Sequence, residues 1–444
     1  MVLMKTDSGI RSIDAQIGIY EYATDFEGIG GRIRSRYEDF RVEEILDPQT
    51  SAGISDRPTS TNRYPVYRLV KEGVDTLHAV QQIRRRLGWG THYLGLKDSR
   101  AQTMQYISPK RLKEDAPKDI QVSPQISLEL YGYHNSLLTR RSLAGNRFTI
   151  RITDTESGGE SLKTAASELK RAVKGMGIPN FYGYQRFGAK RPINHLVGRD
   201  IVRGRFEEAV TTLLTYSSEQ EDEETRVSRE EVKDPANYPS LLKRLKWNQD
   251  IERRVVKSLI DHPRNWVKAL RAVPISVRRL FINSYQSYIF NRVMSKAVEE
   301  DLDLVEVDAD DIYGAVDAED GSVTEIRRSR SRLETGGSKK NILPLVQLVG
   351  YAYRAGRGRF DQMTQGLLEE EAVSPRQFYI KQMPELSMEG GFRISPLLAD
   401  DLDIWTESTD RSSCLLQFTL LKGSYATMIL RELMKPSDPV AAGF

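Results

Sequence analysis

The order in which strand-like and helix-like stretches follow one another constrains this chain most. From about residue 30 to 155, short segments alternate apolar and polar residues, the pattern of half-buried strands. Phe40 and Val42 alternate with Arg41 and Glu43, and Phe148, Ile150 and Ile152 with Arg147, Thr149 and Arg151. Further strands are expected at 64–70, at 93–106 with a loop in the middle, and at 126–131. Two amphipathic helices punctuate them. Over 75–87, Leu77, Val80, Ile83 and Leu87 share a face, with Asp75 or Thr76 as N-cap and Gly88 as the stop. Over 162–174, Leu162, Ala165 and Leu169 turn inward before Gly175. Residues 190–300 then read as helical, with a longer helix over 278–294. The strand pattern returns near 390, where Leu416, Phe418 and Leu420 alternate before a closing helix at 425–434. The economical architecture is α+β. Residues 1–189 and 390–444 form one core whose last strand completes the sheet, and 190–389 form a large, mostly helical insertion.

Composition narrows the function classes. With 39% hydrophobic and 29% charged residues the chain reads as a soluble globular protein. No apolar run approaches a membrane span, and Met1 to Asp7 lack a signal-peptide pattern, so a cytoplasmic protein is expected. The single cysteine, Cys414, excludes a disulfide framework and any zinc site built on several cysteines. None of the five histidines sits in a pair at ligand spacing, so no metal is expected. Net charge is only +3, but Lys and Arg cluster at 84–86, 140–141, 190–191 and 327–332, apart from acidic runs at 221–224 and 301–320. Separated runs of opposite sign can make a local cationic face, which is enough to bind nucleic acid. Taken singly, each run also fits an ordinary solvated surface.

Four segments carry chemistry. In Gly95-Leu96-Lys97-Asp98-Ser99-Arg100 an acid stands between two cations on a loop. Neighbouring cations favour the ionised form, and an ionised Asp can act as nucleophile or base. Capping a turn is the commoner use of a loop Asp. In Gly145-Asn146-Arg147-Phe148 the Asn amide can hold a carboxylate or read a base edge, and Phe148 can stack on a base or sit in the core. Asn180-Phe181-Tyr182-Gly183-Tyr184-Gln185-Arg186-Phe187-Gly188 interleaves aromatics with Gly and Arg, a composition suited to unstacked RNA bases and phosphates. The acids of Tyr37 to Glu44 could orient a site cation, although Glu43 and Glu44 read as the wet side of an edge strand. The basic run 354–359 fits a solvated loop. No P-loop, dinucleotide fingerprint, nucleophile-elbow serine or zinc deaminase signature is present.

Taken together, these segments resemble the TruD family of tRNA pseudouridine synthases. The matching pieces are 38–40, Arg68-Leu69 with Lys71 and Gly73, 95–105, 145–148, 179–188, 284–291, 422–425 and Arg431-Glu432. They occur in the family's order, and the long insertion looks like the archaeal or eukaryotic form. The resemblance implies a mixed, mainly antiparallel sheet with helices and a large helical insertion. It makes Asp98 the catalytic aspartate. Phe40, Asn146 and Phe148 then hold the target nucleotide, with phenylalanine where other pseudouridine synthases place a tyrosine. Lys97 and Arg100 would keep Asp98 charged or anchor phosphates, and Arg186 would bind substrate. The implied reaction isomerises a uridine, usually at position 13 of tRNA, without a cofactor. The base leaves its stack, the glycosidic bond breaks and the ring re-attaches through C5. The implied partner is tRNA, with other RNAs open, no membrane and no obligatory protein partner. Two other readings compete. A non-catalytic RNA-binding protein would not need Asp98, and a nucleoside-hydrolase-like glycosidase would need a second acid or a metal cluster, neither of which is evident.

Overall fold

Strand Phe40–Leu46 buries Phe40 and Val42 and exposes Arg41 and Glu43, as its alternation requires. In the computed structural model it lies in the middle of a ten-stranded sheet. The structure describes residues 13–110, 116–156, 160–188, 191–246, 249–317, 321–328, 340–406 and 412–444. Lys190 and the arginines at 330 and 332, expected in basic clusters, lie outside these. The main path of the sheet runs Asp403–Thr406, Cys414–Leu421, Leu143–Thr155, Phe40–Leu46, Gln102–Pro109, Tyr64–Glu72, Ile126–His134 and Asp119–Ser123. Among the described residues every pairing in this sheet is antiparallel except that of Phe40–Leu46 with Gln102–Pro109. The α+β class and the mixed, mainly antiparallel sheet are as expected. Strand Cys414–Leu421 completes the sheet, in register from Cys414 opposite Ile152 to Leu421 opposite Gly145.

The one parallel pairing creates the site. Parallel neighbours begin at the same end of a sheet. Arg41 lies opposite Gln102, so Phe40 and the loop preceding Gln102 meet there. The antiparallel neighbour brings Phe148 opposite Val42 and Asn146 opposite Glu44. Phe418 on the next strand faces Phe148. Helices Glu160–Lys174 and Ala426–Met434 bury their apolar stripes in the same cluster as Phe40, Phe148, Ile150 and Phe418. Burying one such aromatic contributes about 2 kcal/mol, so the site's walls are also fold-determining.

Helix Thr76–Leu87 is capped as expected. The Asp75 carboxylate accepts from the N–H groups of Leu77 (2.9 Å) and His78 (3.1 Å), and Gly88 ends the helix at φ +69°. Its buried face differs from the expectation. Thr76, Ala79 and Ile83 are inside, whereas Leu77 is 49% exposed. The Thr76 hydroxyl turns inward to a polar network, which rotates Leu77 outward.

Helix Ile275–Glu299 joins two cores. Phe281, Ile282, Tyr285 and Ile289 belong to the helical cluster, while Phe290, Val293, Met294 and Ala297 pack with the sheet's aromatics. The stretch 308–345, whose acidic, Gly-rich and Arg-rich composition gave no strand signal, contributes to a four-stranded sheet. Its strands are Tyr313–Asp317, Val323–Arg327, Lys340–Leu348 and Gly391–Ile394. Among the described residues no helix is long and apolar enough to cross a membrane.

Candidate active site

The loop between Thr91–Tyr93 and Gln102–Pro109 carries Asp98, and buried polar groups behind it fix its path. Lys71, fully buried on Tyr64–Glu72, donates from Nζ to the carbonyls of Val74 (2.7 Å), Asp98 (3.2 Å) and Lys97 (3.5 Å). The Lys97 N–H donates to Thr76 Oγ1 (2.9 Å), and the Thr76 hydroxyl donates to Gln105 Oε1 (2.9 Å). Gln105 Nε2 donates to the Gly95 carbonyl (2.8 Å). Lys97 Nζ reaches Glu44 Oε1 (2.7 Å), and Glu44 Oε2 accepts from the Tyr106 N–H (2.8 Å). A loop pinned through its backbone holds its outward side chain in one place.

That outward side chain is Asp98, 49% exposed. Its Oδ2 accepts from the Gln185 amide nitrogen and stands 3.8 Å from Arg34 Nη2. Arg34 is buried, its guanidinium 4.2 Å from the Phe40 ring centroid, with Nη1 donating to the Gly443 carbonyl (3.0 Å). Burial lowers the Arg34 pKa, and the Asp98 charge opposes that shift. Arg34 also adopts φ +59°, a left-handed conformation that costs a non-glycine residue roughly 1 kcal/mol. Gln185 sits on the turn Tyr184–Arg186. Beneath it, the Tyr184 hydroxyl donates to Asp14 Oδ1 (2.6 Å) and Arg431 Nε donates to Asp14 Oδ2 (2.7 Å), all three buried. Burial raises the Tyr184 pKa well above its ordinary value, so this hydroxyl remains a donor.

Asp98 opens onto a cavity of about 180 Å³ lined by Phe40, Val42, Asn146, Phe148 and Tyr425. Phe40 and Phe148 meet edge to face at 6.3 Å, and Phe148 stacks on Phe418 at 5.4 Å. Each phenylalanine is therefore both core and cavity wall, and the two readings of Phe148 merge. Asn146 Oδ1 is buried and has no hydrogen-bond partner among the described residues, which leaves it available to a ligand.

The structure thus brings Asp98, Phe40, Asn146 and Phe148 to one cavity, which Lys97 also lines. Two expectations change in detail. The Lys97 amine pairs with Glu44, and the cation that reaches Asp98 is Arg34. Glu44 is not on the wet side of an edge strand; it is 2% exposed on a central one, where it neutralises Lys97. Arg100 is exposed and lines an adjoining cavity. Arg186 lines neither; its Nη2 lies 3.4 Å from the Tyr425 hydroxyl, behind the cavity wall. Sequence reasoning missed Arg34 and gave no role to Gln185, although Gln185 lay inside a segment already marked by its aromatics.

Lys71 makes a pH-dependent prediction. Burial pulls its ammonium pKa down to about 8 from 10.5. The folded value lies below the unfolded one, so the buried charge costs stability at neutral pH. That cost is relieved as pH rises from about 8 towards 10.5. Turnover should move the opposite way. Above pH about 8 the amine keeps two donors for three carbonyls, and the Asp98 loop loosens. Lys71→Met should lose roughly 10- to 100-fold in turnover at pH 7 and lack the step near pH 8. Superimposable pH–rate profiles for the two proteins would remove Lys71 from the positioning of Asp98.

Comparisons with known proteins give the family. The family model described as tRNA pseudouridine synthase D (TruD) matches residues 16–433. A protein of Methanosarcina mazei named "Probable tRNA pseudouridine synthase D" is 32% identical over 444 residues, covering 96% of this chain and 98% of its own length. A relative of the same name from Methanococcoides burtonii is 30% identical over 442 residues, with 96% and 98% covered. A third from Thermococcus onnurineus is 32% identical over 429 residues, with 94% and 97% covered. The crystal structure of a Methanosarcina mazei protein named "Putative tRNA pseudouridine synthase D (TruD)" superimposes with a TM-score of 0.79 at 30% identity, covering 95% of this chain and 97% of that one. The family model, the relatives and the shared fold therefore define an RNA-modifying isomerase of the pseudouridine synthase class. Within that class, the chain belongs to the tRNA pseudouridine synthase D family.

Proposed function

We propose that this protein isomerises the uridine at position 13 of tRNA, with Asp98 as the catalytic carboxylate and Phe40, Asn146 and Phe148 holding the flipped nucleotide. The observation that carries this reading is that a half-exposed carboxylate shares one small cavity with two aromatic walls and an unpartnered Asn carbonyl.

The cavity's shape suits the chemistry. Breaking the glycosidic bond develops positive charge at C1′, and a carboxylate held at that carbon stabilises it or captures it. The freed uracil must then turn to present C5. Phenyl walls lack hydrogen-bonding atoms, so they let a ring turn while excluding water. An amide offers both a donor and an acceptor, matching the alternating C=O and N–H of a uracil edge in more than one orientation. Arg34, at the edge of the cavity, stands where it can balance the Asp98 charge. Lys97 acts from behind the loop, and Arg100 meets phosphate at the entrance. Arg186 supports Tyr425 and through it the substrate. Residues 190–389 form the insertion that extends the tRNA-contacting surface, other RNAs remain open as substrates, and the enzyme works in the cytoplasm.

Incubating the protein with an unmodified tRNA transcript, without added cofactor, should yield pseudouridine at position 13 and no free uracil. Unchanged uridine would end this reading, and released uracil would replace it with a glycosidase.

A further inference from the structure

Beside the uridine cavity lies a larger one, of about 440 Å³, that ends on the same Asp98. The two share Arg34, Leu96, Lys97, Asp98, Gln185 and Phe444. Its wall includes Leu77, 49% exposed in the first turn of helix Thr76–Leu87, and Leu96, 59% exposed on the Asp98 loop. Leu96 is the most exposed large hydrophobic residue among those described. A lone exposed leucine needs no explanation. Two of them lining one cavity against a candidate catalytic carboxylate form an apolar surface with something to cover.

We propose that this cavity is a subsite for the nucleotide joined covalently to the target uridine, with its base against Leu77 and Leu96 and its phosphate at Arg100. The proposal rests on the reading that Asp98 isomerises a flipped uridine. In that reaction the target ribose stands at Asp98. The neighbouring nucleotide is tethered to that ribose by one phosphodiester, so it is the group already placed to enter a cavity that begins at the same carboxylate. The lining suits a nucleotide. The leucines offer an apolar flat, while the exposed Arg100 and Arg34, whose side chain is buried, supply positive charge; Lys97, also in the lining, is paired with Glu44. The one other acid in the lining, Asp75, is engaged as a helix cap and by the His78 ring. Contact through leucine carries no hydrogen-bond readout, so the subsite senses whether a base is present more than which base it is.

The test couples protein and RNA changes in one cycle. Substrates are tRNA transcripts, intact or abasic at the nucleotide 5′ or 3′ of the target uridine. Enzymes are the full-length protein and its Leu77→Ser/Leu96→Ser variant. Both side chains are exposed, so the variant should melt with the parent; Leu77→Ala/Leu96→Ala supplies a milder version of the same cycle. For the parent, removing one of the two flanking bases should lower kcat/KM by roughly tenfold, the scale of one buried apolar contact. The variant should lose about as much on intact tRNA and less than about twofold more on the abasic substrate. The subsite is overturned if neither abasic substrate slows the parent, or if base removal costs parent and variant equally. A parent that leaves intact tRNA unmodified is a different result, and it overturns the isomerase reading together with the subsite.

Discussion

Asp98→Asn is expected to lower single-turnover pseudouridine formation by at least about 10³-fold, while tRNA affinity changes less than about threefold. The substitution keeps size and shape and removes the charge. The fold should survive it. The groups that pin the loop, Lys71, Thr76, Gln105 and Glu44 through Lys97, all bond its backbone or the Lys97 amine, never the Asp98 carboxylate. Among the described residues the Asp98 side chain bonds or pairs with Gln185 and Arg34, and it is half in solvent. Its loss leaves the buried Arg34 guanidinium without this counter-charge, so the protein should stay folded with a small drop in melting temperature. Phosphate contacts supply most of the affinity of such interfaces, and deleting an anion from the entrance does not weaken them. Activity within tenfold of the parent would remove Asp98 from the chemistry. A parallel loss of binding and turnover would recast it as a residue that shapes the RNA site.

The frame of this molecule was legible because alternation is a local signal. Phe40 and Val42, Phe148 and Ile150, and Leu416 and Phe418 read as strands, and they lie side by side in one sheet. The Asp98 loop and Asn146 could be marked because their surroundings hold unusual polar groups without a core run. What stayed hidden depends on tertiary approach. Glu44 and Lys97 are 53 residues apart, and Gln185 and Asp98 are 87 apart. Neighbours in sequence mislead on a loop, where successive side chains point in different directions. Lys97 precedes Asp98 yet its amine pairs with Glu44, while Arg34, far away in sequence, supplies the nearby charge. Leu77 failed for a related reason. A helical wheel gives relative angles, but the Thr76 hydroxyl's bond to Gln105 decides which angle faces inward. The strands within 308–345 were missed because acidic, Gly-rich and Arg-rich residues mask weak alternation.

Lys97 gives the second large effect, and it is one of stability. Its side chain is 9% exposed and that of Glu44 fully buried, so each charge is out of water and answered by the other. Removing one partner leaves an uncompensated buried charge, which costs about 3–5 kcal/mol. Lys97→Met and Glu44→Gln should each lose about that much by urea unfolding, although Glu44→Gln keeps an acceptor for the Tyr106 N–H. The double variant Glu44→Gln/Lys97→Met buries no net charge and should recover to within about 2 kcal/mol of the parent. A phosphate-binding lysine would behave differently. Its removal would leave stability alone and reduce the slope of log affinity against log salt by about 1. Arg100→Ala, at an exposed site on the adjoining cavity, should show that second pattern. Lys97→Met should show the first, with an unchanged salt slope in the fraction that remains folded. A Lys97→Met protein as stable as the parent and shallower in its salt dependence would mean that this amine leaves Glu44 and meets the RNA backbone when tRNA binds.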